Sequence, residues 1–279
     1  MIVYANGVWI DEDQAVVPMQ DMGFLYGDSL FETVRINAGR PFRPVKHLER
    51  LAHGMATIRM PHRDILPKIE VLLHEFLKRN LLQDGLIRAI VTRGTLQDLP
   101  WGKDPEPNLY VTGRPLSKPP SRPARVTFYA ERDYPILRFK PAIKSGNYLG
   151  NLLAKKDAQA EGAYEPVFID ADGFITECAI RNIFFIRDGT LLTPSTDLGI
   201  LPGVIRDTVM EIAHDQGLDV REAHIPYVEI DTMDEAFITS TGVGILPVFW
   251  TDFTSEYAIT SKLERSLIQL WQKEASHAS

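Results

Sequence analysis

The chain has 279 residues, 44% of them hydrophobic and 24% charged, a globular composition that can bury a sizeable core in one large domain or two modest ones. Its net charge of −7, with no run of like charges, repels phosphate backbones and argues against nucleic-acid binding, and no apolar run is long enough to span a bilayer. The single cysteine, Cys178, excludes an intrachain disulfide and suits a reducing cytoplasm, and the start Met1-Ile-Val-Tyr-Ala-Asn-Gly-Val-Trp does not read as a signal peptide.

In chain order, Ile2-Val3-Tyr4 and Val8-Trp9-Ile10 flank Ala5-Asn6-Gly7, which is a hairpin signal. Glycines mark turns through residues 21–28, a strand is expected over 30–36, and Asn37-Ala-Gly39-Arg40 closes a second hairpin. Pro44 opens a helix in which Leu48, Leu51, Ala52 and Met55 recur at helical spacing. Arg50 lies off that stripe, either as a solvated arginine or as an anion ligand held on a fixed helix. A second helix covers 65–78, with Ile65, Ile69, Leu72, Leu73, Phe76 and Leu77 on one side. A strand from Leu86 carries Arg88 and runs into Arg93-Gly94. Residues 95–108 then read as a long irregular loop, a length often associated with binding.

A short strand over 109–112 precedes a proline-rich polar stretch. This is the expected interdomain linker, 115–125, between a small N-terminal domain (1–114) and a C-terminal cofactor-binding domain (126–279), although an edge segment of one domain would look the same. Beyond it, a strand over 126–130 and a helix over 151–161 are expected. Strand pairs follow at 166–170 with 174–177, and at 183–186 with 190–193, each joined by an Asp-Gly turn. Gly203 starts a helix with Val209, Ile212 and Ala213 on one face, 236–239 is a strand leading into Ser240-Thr241-Gly242, and a last helix covers 262–273. Strands mixed with helices, with few βαβ units, predict an α+β fold.

Chemistry concentrates in Lys144-Ser-Gly-Asn-Tyr148 and Asp170-Ala-Asp-Gly-Phe-Ile-Thr-Glu177, which supply an amine, a phenol and a carboxylate within a short length of chain. These are three groups that pyridoxal phosphate requires: an amine for the Schiff base, a phenol for the ring oxygen and an acid for the ring nitrogen. Leu201-Pro-Gly203-Val204-Ile205-Arg206 offers a glycine at a helix start, where unpaired N–H groups favour an anion; the plain alternative is a Pro-Gly turn.

In this order, with Ser240-Thr241-Gly242 and the N-terminal blocks Gly27-Asp-Ser-Leu-Phe31-Glu-Thr-Val-Arg35 and His47-Leu-Glu-Arg50-Leu51, the chain resembles the class IV pyridoxal phosphate aminotransferases over nearly its whole length. The family includes branched-chain and D-amino-acid aminotransferases and aminodeoxychorismate lyases. The resemblance implies a two-domain fold of type IV and a homodimer, with amino acids and 2-oxo acids as substrates. It assigns Lys144 to the Schiff base and proton transfer, Tyr148 to the ring oxygen and Glu177 to the ring nitrogen. Arg50, Val204, Ile205, Ser240 and Thr241 are assigned to the phosphate; Ile205 stands where many members have threonine. Phe31, Arg88, Arg93 and Gly242 are substrate candidates, and no metal is expected. Leu86 replaces the tyrosine of the branched-chain members, and Arg93-Gly94 lacks the arginine and histidine that follow it in the D-amino-acid members. Transamination is therefore the expected reaction, with pyruvate elimination from aminodeoxychorismate, or cofactor binding without catalysis, as alternatives.

Overall fold

In the computed structural model, which describes residues 1–61, 64–99, 101–117, 120 and 122–276, the Asn6-Gly7 turn joins β1 (Ile2–Ala5) to β2 (Val8–Asp11) as an antiparallel hairpin. Both turn residues take positive φ, 42° and 113°, as a two-residue hairpin turn requires. After a short helix, α1 (Met22–Tyr26), comes β3 (Ser29–Asn37), whose residues alternate between a buried face and a half-buried one carrying Phe31, Thr33 and Arg35. β4 (Arg40–Pro41) folds back on its end. Two helices follow, α2 (Pro44–Thr57) and α3 (Ile65–Asn80), then β5 (Gly85–Thr92) and β6 (Asn108–Pro115). Among the described residues these strands form an antiparallel sheet of order β2-β1-β6-β5-β3-β4.

Leu30, Val34 and Ile36 pack with Leu51 and Met55 of α2 and with Ile69, Leu73 and Phe76 of α3, so the helical stripes meet the inward face of β3. Gly54 permits the close approach of α2, since a Cβ there would lie 3.3 Å from Leu30 and 3.7 Å from Ile143. The α2 stripe also buries His47, a polar residue among apolar ones.

Contacts divide the described residues into two units, and the division is not linear in sequence. The first unit holds Met1–Ser117, Ile143–Asn147 and the residues from Trp271 onward; the second holds Lys118–Ala142 and Tyr148–Leu270. Of the expected linker, residues 118, 119 and 121 lie outside the described residues, while β6 runs on to Pro115. Ile143–Asn147 joins the first unit because Ser145 bridges Leu30 and Gly146 N–H donates to the Ser29 carbonyl at 2.8 Å.

The second unit opens with β7 (Ala124–Ala130), α4 (Leu149–Ala160), β8 (Glu165–Ile169), β9 (Phe174–Cys178), β10 (Asn182–Arg187) and β11 (Thr190–Pro194). α5 (Val204–Asp215), β12 (Val220–Ala223), β13 (Ile225–Pro226), β14 (Glu235–Ser240), β15 (Gly244–Phe249) and α6 (Ala258–Ser276) complete the order, with the end of α6 counted in the first unit. The strands form a mixed sheet of order β12-β11-β10-β14-β15-β7-β8-β9-β13 among the described residues. Its core includes Val126, Val167, Ile183, Phe185, Ile238 and Val248.

The mixed, two-sheet architecture agrees with the α+β expectation. β15 is an added finding: Pro247 argues against a central strand, yet β15 pairs with β14 over residues 244–247 and meets β7 only at Val248 and Phe249, beyond the proline. β12, β13 and α1 are likewise additions, and α4 and α6 begin earlier than their apolar spacing suggests.

Candidate active site

In the first unit, Lys144 is fixed by its backbone before its side chain is considered. Its carbonyl accepts from Phe31 N–H at 3.0 Å, and Asn147 Nδ2 donates to the Gly27 carbonyl at 3.0 Å, so the segment lies along the start of β3. The alternation of β3 turns Phe31 to the half-buried face, where Lys144 Nζ sits 4.5 Å from its ring centroid. Arg88, on the neighbouring β5 and paired with Thr33, holds its guanidinium carbon 4.7 Å from the same centroid. Two cations that the sequence places 56 positions apart thus share one aromatic ring, an arrangement favoured by its quadrupole.

Arg50 projects from α2 toward the opposite, inward face of β3. Glu32 receives Arg50 Nε at 2.7 Å on one oxygen and Nη2 at 2.8 Å on the other, and His47 Nδ1 lies 2.7 Å from the second oxygen. The side chains of Glu32 and His47 are 2% and 1% exposed. Burial opposes the charge on Glu32, but Arg50, with help from His47, outweighs it and holds the carboxyl far below the usual range. Burial pushes His47 down despite Glu32, and the positive charges of Arg50 and Lys144 push the same way. His47 is therefore a neutral donor through Nδ1.

Arg93 has a different setting. Its Nε and Nη2 donate to Asp28, Nη2 also to the Ile58 carbonyl at 2.8 Å, and Nη1 to Asp104 and the Arg59 carbonyl. All three nitrogens are engaged, tying the end of β5 to Asp28, to the end of α2 and to Asp104. Gly94 belongs to the same anchor: its φ is 117°, and a Cβ would fall 2.1 Å from the Glu106 carbonyl. Asp21 caps α1 through Gly23 N–H and gathers Thr92 Oγ1, Asn108 Nδ2 and Tyr110 OH at 2.8–3.2 Å, fixing the other side of this loop.

In the second unit, Glu177 near the end of β9 is bound on one oxygen by Arg138 and on the other by Leu201 N–H at 3.1 Å. Arg138 is itself held bidentately by Glu131 at 2.9 and 2.8 Å and reaches Thr176 Oγ1 at 3.3 Å. Burial disfavours its charge, but Glu177 and Glu131 more than compensate and raise it above its ordinary value. The Leu201 peptide is gripped on both sides, because Asn182 Nδ2 donates to its carbonyl at 2.8 Å. This delivers the chain to Gly203, where a Cβ would meet Asn182 Oδ1 at 2.1 Å; only glycine fits. Gly203 caps α5 with no side-chain hydrogen bond, and Val204 and Ile205 are its first residues. The fully buried Arg206 pins that first turn to the Pro194 carbonyl and Glu222. Ser240 ends β14, its Oγ accepting from Val243 N–H at 3.4 Å, and Thr241 and Gly242 form the turn into β15. Tyr148 is the N-cap residue of α4 and is half-buried.

Within each unit, then, Lys144, Phe31 and Arg88 come together, as do Glu177 and the approach to Val204 and Ile205. Glu32, His47, Arg138 and Glu131 were absent from the sequence-based candidates. His47 and Arg50, spaced i and i+3 at a helix start, were their one local signal.

Within the first unit Lys144 supplies an amine, and within the second Glu177 supplies a fixed carboxylate and a half-buried glycine turn opens a 12-residue helix; each of these groups suits one part of a phosphorylated pyridine aldehyde. A family model described as amino-transferase class IV matches residues 29–249. A Methanocaldococcus jannaschii protein provisionally named branched-chain-amino-acid aminotransferase is 37% identical, the match covering 90% of this chain and 88% of that one. The aminodeoxychorismate lyase of Bacillus subtilis is 30% identical over 98% of this chain and 94% of its own. Among solved structures, the branched-chain aminotransferase of Thermoproteus uzoniensis superposes with a TM-score of 0.89 at 25% identity, covering 99% of this chain and 96% of that one.

Proposed function

The chain belongs to the class IV aminotransferase family, and from that membership we propose that it is a pyridoxal 5'-phosphate-dependent transaminase exchanging an amino group between an amino acid, of D- or branched-chain type, and a 2-oxo acid. The observation that carries this reading is the shared ring of Phe31, with Lys144 on one contact and Arg88 on another. The bound cofactor supplies a sink for the electron pair left at Cα when its proton departs. Lys144 Nζ takes that proton from Cα; the first oxo acid leaves while the amino group stays with the holoenzyme, and the second half-reaction runs in reverse on the other oxo acid, which makes the kinetics ping-pong. Arg88, exposed beside the same ring, donates charge-assisted hydrogen bonds to the substrate carboxylate. Glu177 offers its carboxylate to the ring nitrogen; Val204 and Ile205 N–H groups, Arg50, Ser240 and Thr241 serve the phosphate; Tyr148 serves the ring oxygen.

A panel of L- and D-amino acids, scored by the absorbance change of bound cofactor to its amine form, tests the reaction and fixes the chirality. Silence across the panel would overturn it. Lys144→Ala should lower turnover on the order of 10⁴-fold, the scale of a positioned proton-transfer group; rates near wild type would reject its role. The near-full-length lyase relative supports a second reading, in which the same residues eliminate pyruvate from aminodeoxychorismate. Pyruvate and 4-aminobenzoate released from that substrate, with no response to the panel, would establish it. The same family reading carries a homodimer, supported by the apolar Leu149, Leu152 and Leu153, exposed on α4. Light scattering at assay concentration checks this.

A further inference from the structure

The buried face of β3 carries an anomaly. Leu30, Val34 and Ile36 on that face are apolar core residues, yet Glu32 between them is an acid. It faces His47 and Arg50 of α2, and all three side chains are at most 10% exposed. Desolvating such a group is costly, and well-packed apolar residues would serve stability as well or better. The cluster therefore needs a purpose other than holding the fold.

Its geometry supplies one. The Glu32 carboxylate lies side-on to the Arg50 fork, one oxygen on Nε at 2.7 Å and the other on Nη2 at 2.8 Å. A bidentate contact fixes the plane of the guanidinium and hence the direction of its end-on edge. His47 Nδ1, 2.7 Å from the second oxygen, stops the carboxylate from turning about its own axis. Its other ring nitrogen, Nε2, is buried with no hydrogen-bond partner among the described residues, so His47 spends its bonding on Glu32. An arginine loses rotamer freedom when immobilised, and here that loss is met before any anion arrives.

We propose that Glu32 and His47 are positioning residues that pre-orient Arg50 to recognise the phosphate of the cofactor. This rests on the reading of Arg50 as a phosphate ligand and adds the residues through which it acts. Neither Glu32 nor His47 touches the anion; both act through the guanidinium.

The test compares two ligands on the full-length protein stripped of cofactor: pyridoxal 5'-phosphate, and pyridoxal, which lacks the phosphate. Glu32→Gln should lower the preference for the phosphorylated ligand at least about tenfold, with pyridoxal affinity little changed. His47→Gln, milder in volume and charge, should lower it by a smaller factor and gives a reading if Glu32→Gln does not fold, as judged by circular dichroism. In an Arg50→Gln background, Glu32→Gln should add nothing, because its only route is removed. Equal losses for both ligands in Glu32→Gln and His47→Gln would mean a purely structural cluster and overturn the inference. An unchanged preference in Arg50→Gln would instead overturn the phosphate role of Arg50, whereas a lost preference there with none lost in the other variants would overturn the positioning role alone.

Discussion

Two arginine–carboxylate pairs, one in each unit, are built as mirror images. In the first, Glu32 is the buried scaffold and Arg50 the group set in place. In the second, Arg138 is the scaffold, gripped by Glu131, and Glu177 is the group set in place. Each pair costs desolvation, and on the proposed function the partner offered to the ligand is in each the one with the charge that ligand needs, positive for a phosphate and negative for a protonated ring nitrogen. Glu131, Arg138 and Glu177 together carry one net negative charge, because Glu131 restores what Arg138 cancels. The contrast shows that the charge presented and the charge buried can exchange places: Arg50 is held by both oxygens of Glu32, whereas Glu177 divides its oxygens between Arg138 and the Leu201 N–H.

The largest expected effect separates scaffold from ligand in the second pair. Arg138→Met should cost about 3 kcal/mol of stability, as breaking one partner of a poorly exposed ion pair does, and should also weaken cofactor binding. Urea unfolding of the cofactor-free protein reads the first; a normal midpoint would break the comparison by showing Arg138 to be dispensable. Arg88→Gln comes next. Loss of a charged hydrogen bond to substrate predicts a rise in amino-acid KM of roughly 10–100-fold with kcat changed less. Arg93→Gln is the control, a third arginine with acidic neighbours but no proposed ligand. It should lose about 1 kcal/mol of stability and leave KM in place, and a KM shift like that of Arg88→Gln would move Arg93 into the substrate site.

The smallest effect is on pH, and it belongs to the first pair alone. His47 is held neutral below its unfolded pKa, so the unfolded chain binds more protons in mild acid and stability falls as pH drops below about 6.5. The loss should deepen as pH falls further below that value and be absent in His47→Gln. Glu32 works in a lower window: its contribution is complete above about pH 5 and is lost progressively as pH falls from its unfolded value toward its depressed folded one. Thermal melts of wild type and His47→Gln at several pH values check both.

Much of this molecule was legible in the sequence where the signal is local. Alternation predicts β3, spacing predicts α2 and α3, and Asn6-Gly7 and Asp188-Gly189 predict their hairpins. Lys144, Glu177, Arg50 and Arg88 were each named as candidates from the order of short blocks. Their partners were not, because pairing is a property of three dimensions. Glu32 and Arg50 are 18 positions apart on different elements, and Arg138 and Glu177 are 39 apart. Nothing in residues 131–138 sets Arg138 apart from the neighbouring surface arginine, Arg132. The partners of Arg93 were hidden for the same reason: only the fold brings Asp28 and two carbonyls to it.

The discontinuity of the first unit has a consequence for how the protein is made. Trp271 lies against Phe42, with Arg35 over its ring at 3.8 Å, and its carbonyl accepts from Asn37 Nδ2. A polypeptide emerging from the ribosome exposes β3 well before Trp271, so the surface around Arg35 stays unfinished until a residue 234 positions beyond Asn37 has followed. The sheet of the first unit is therefore translated long before it is sealed.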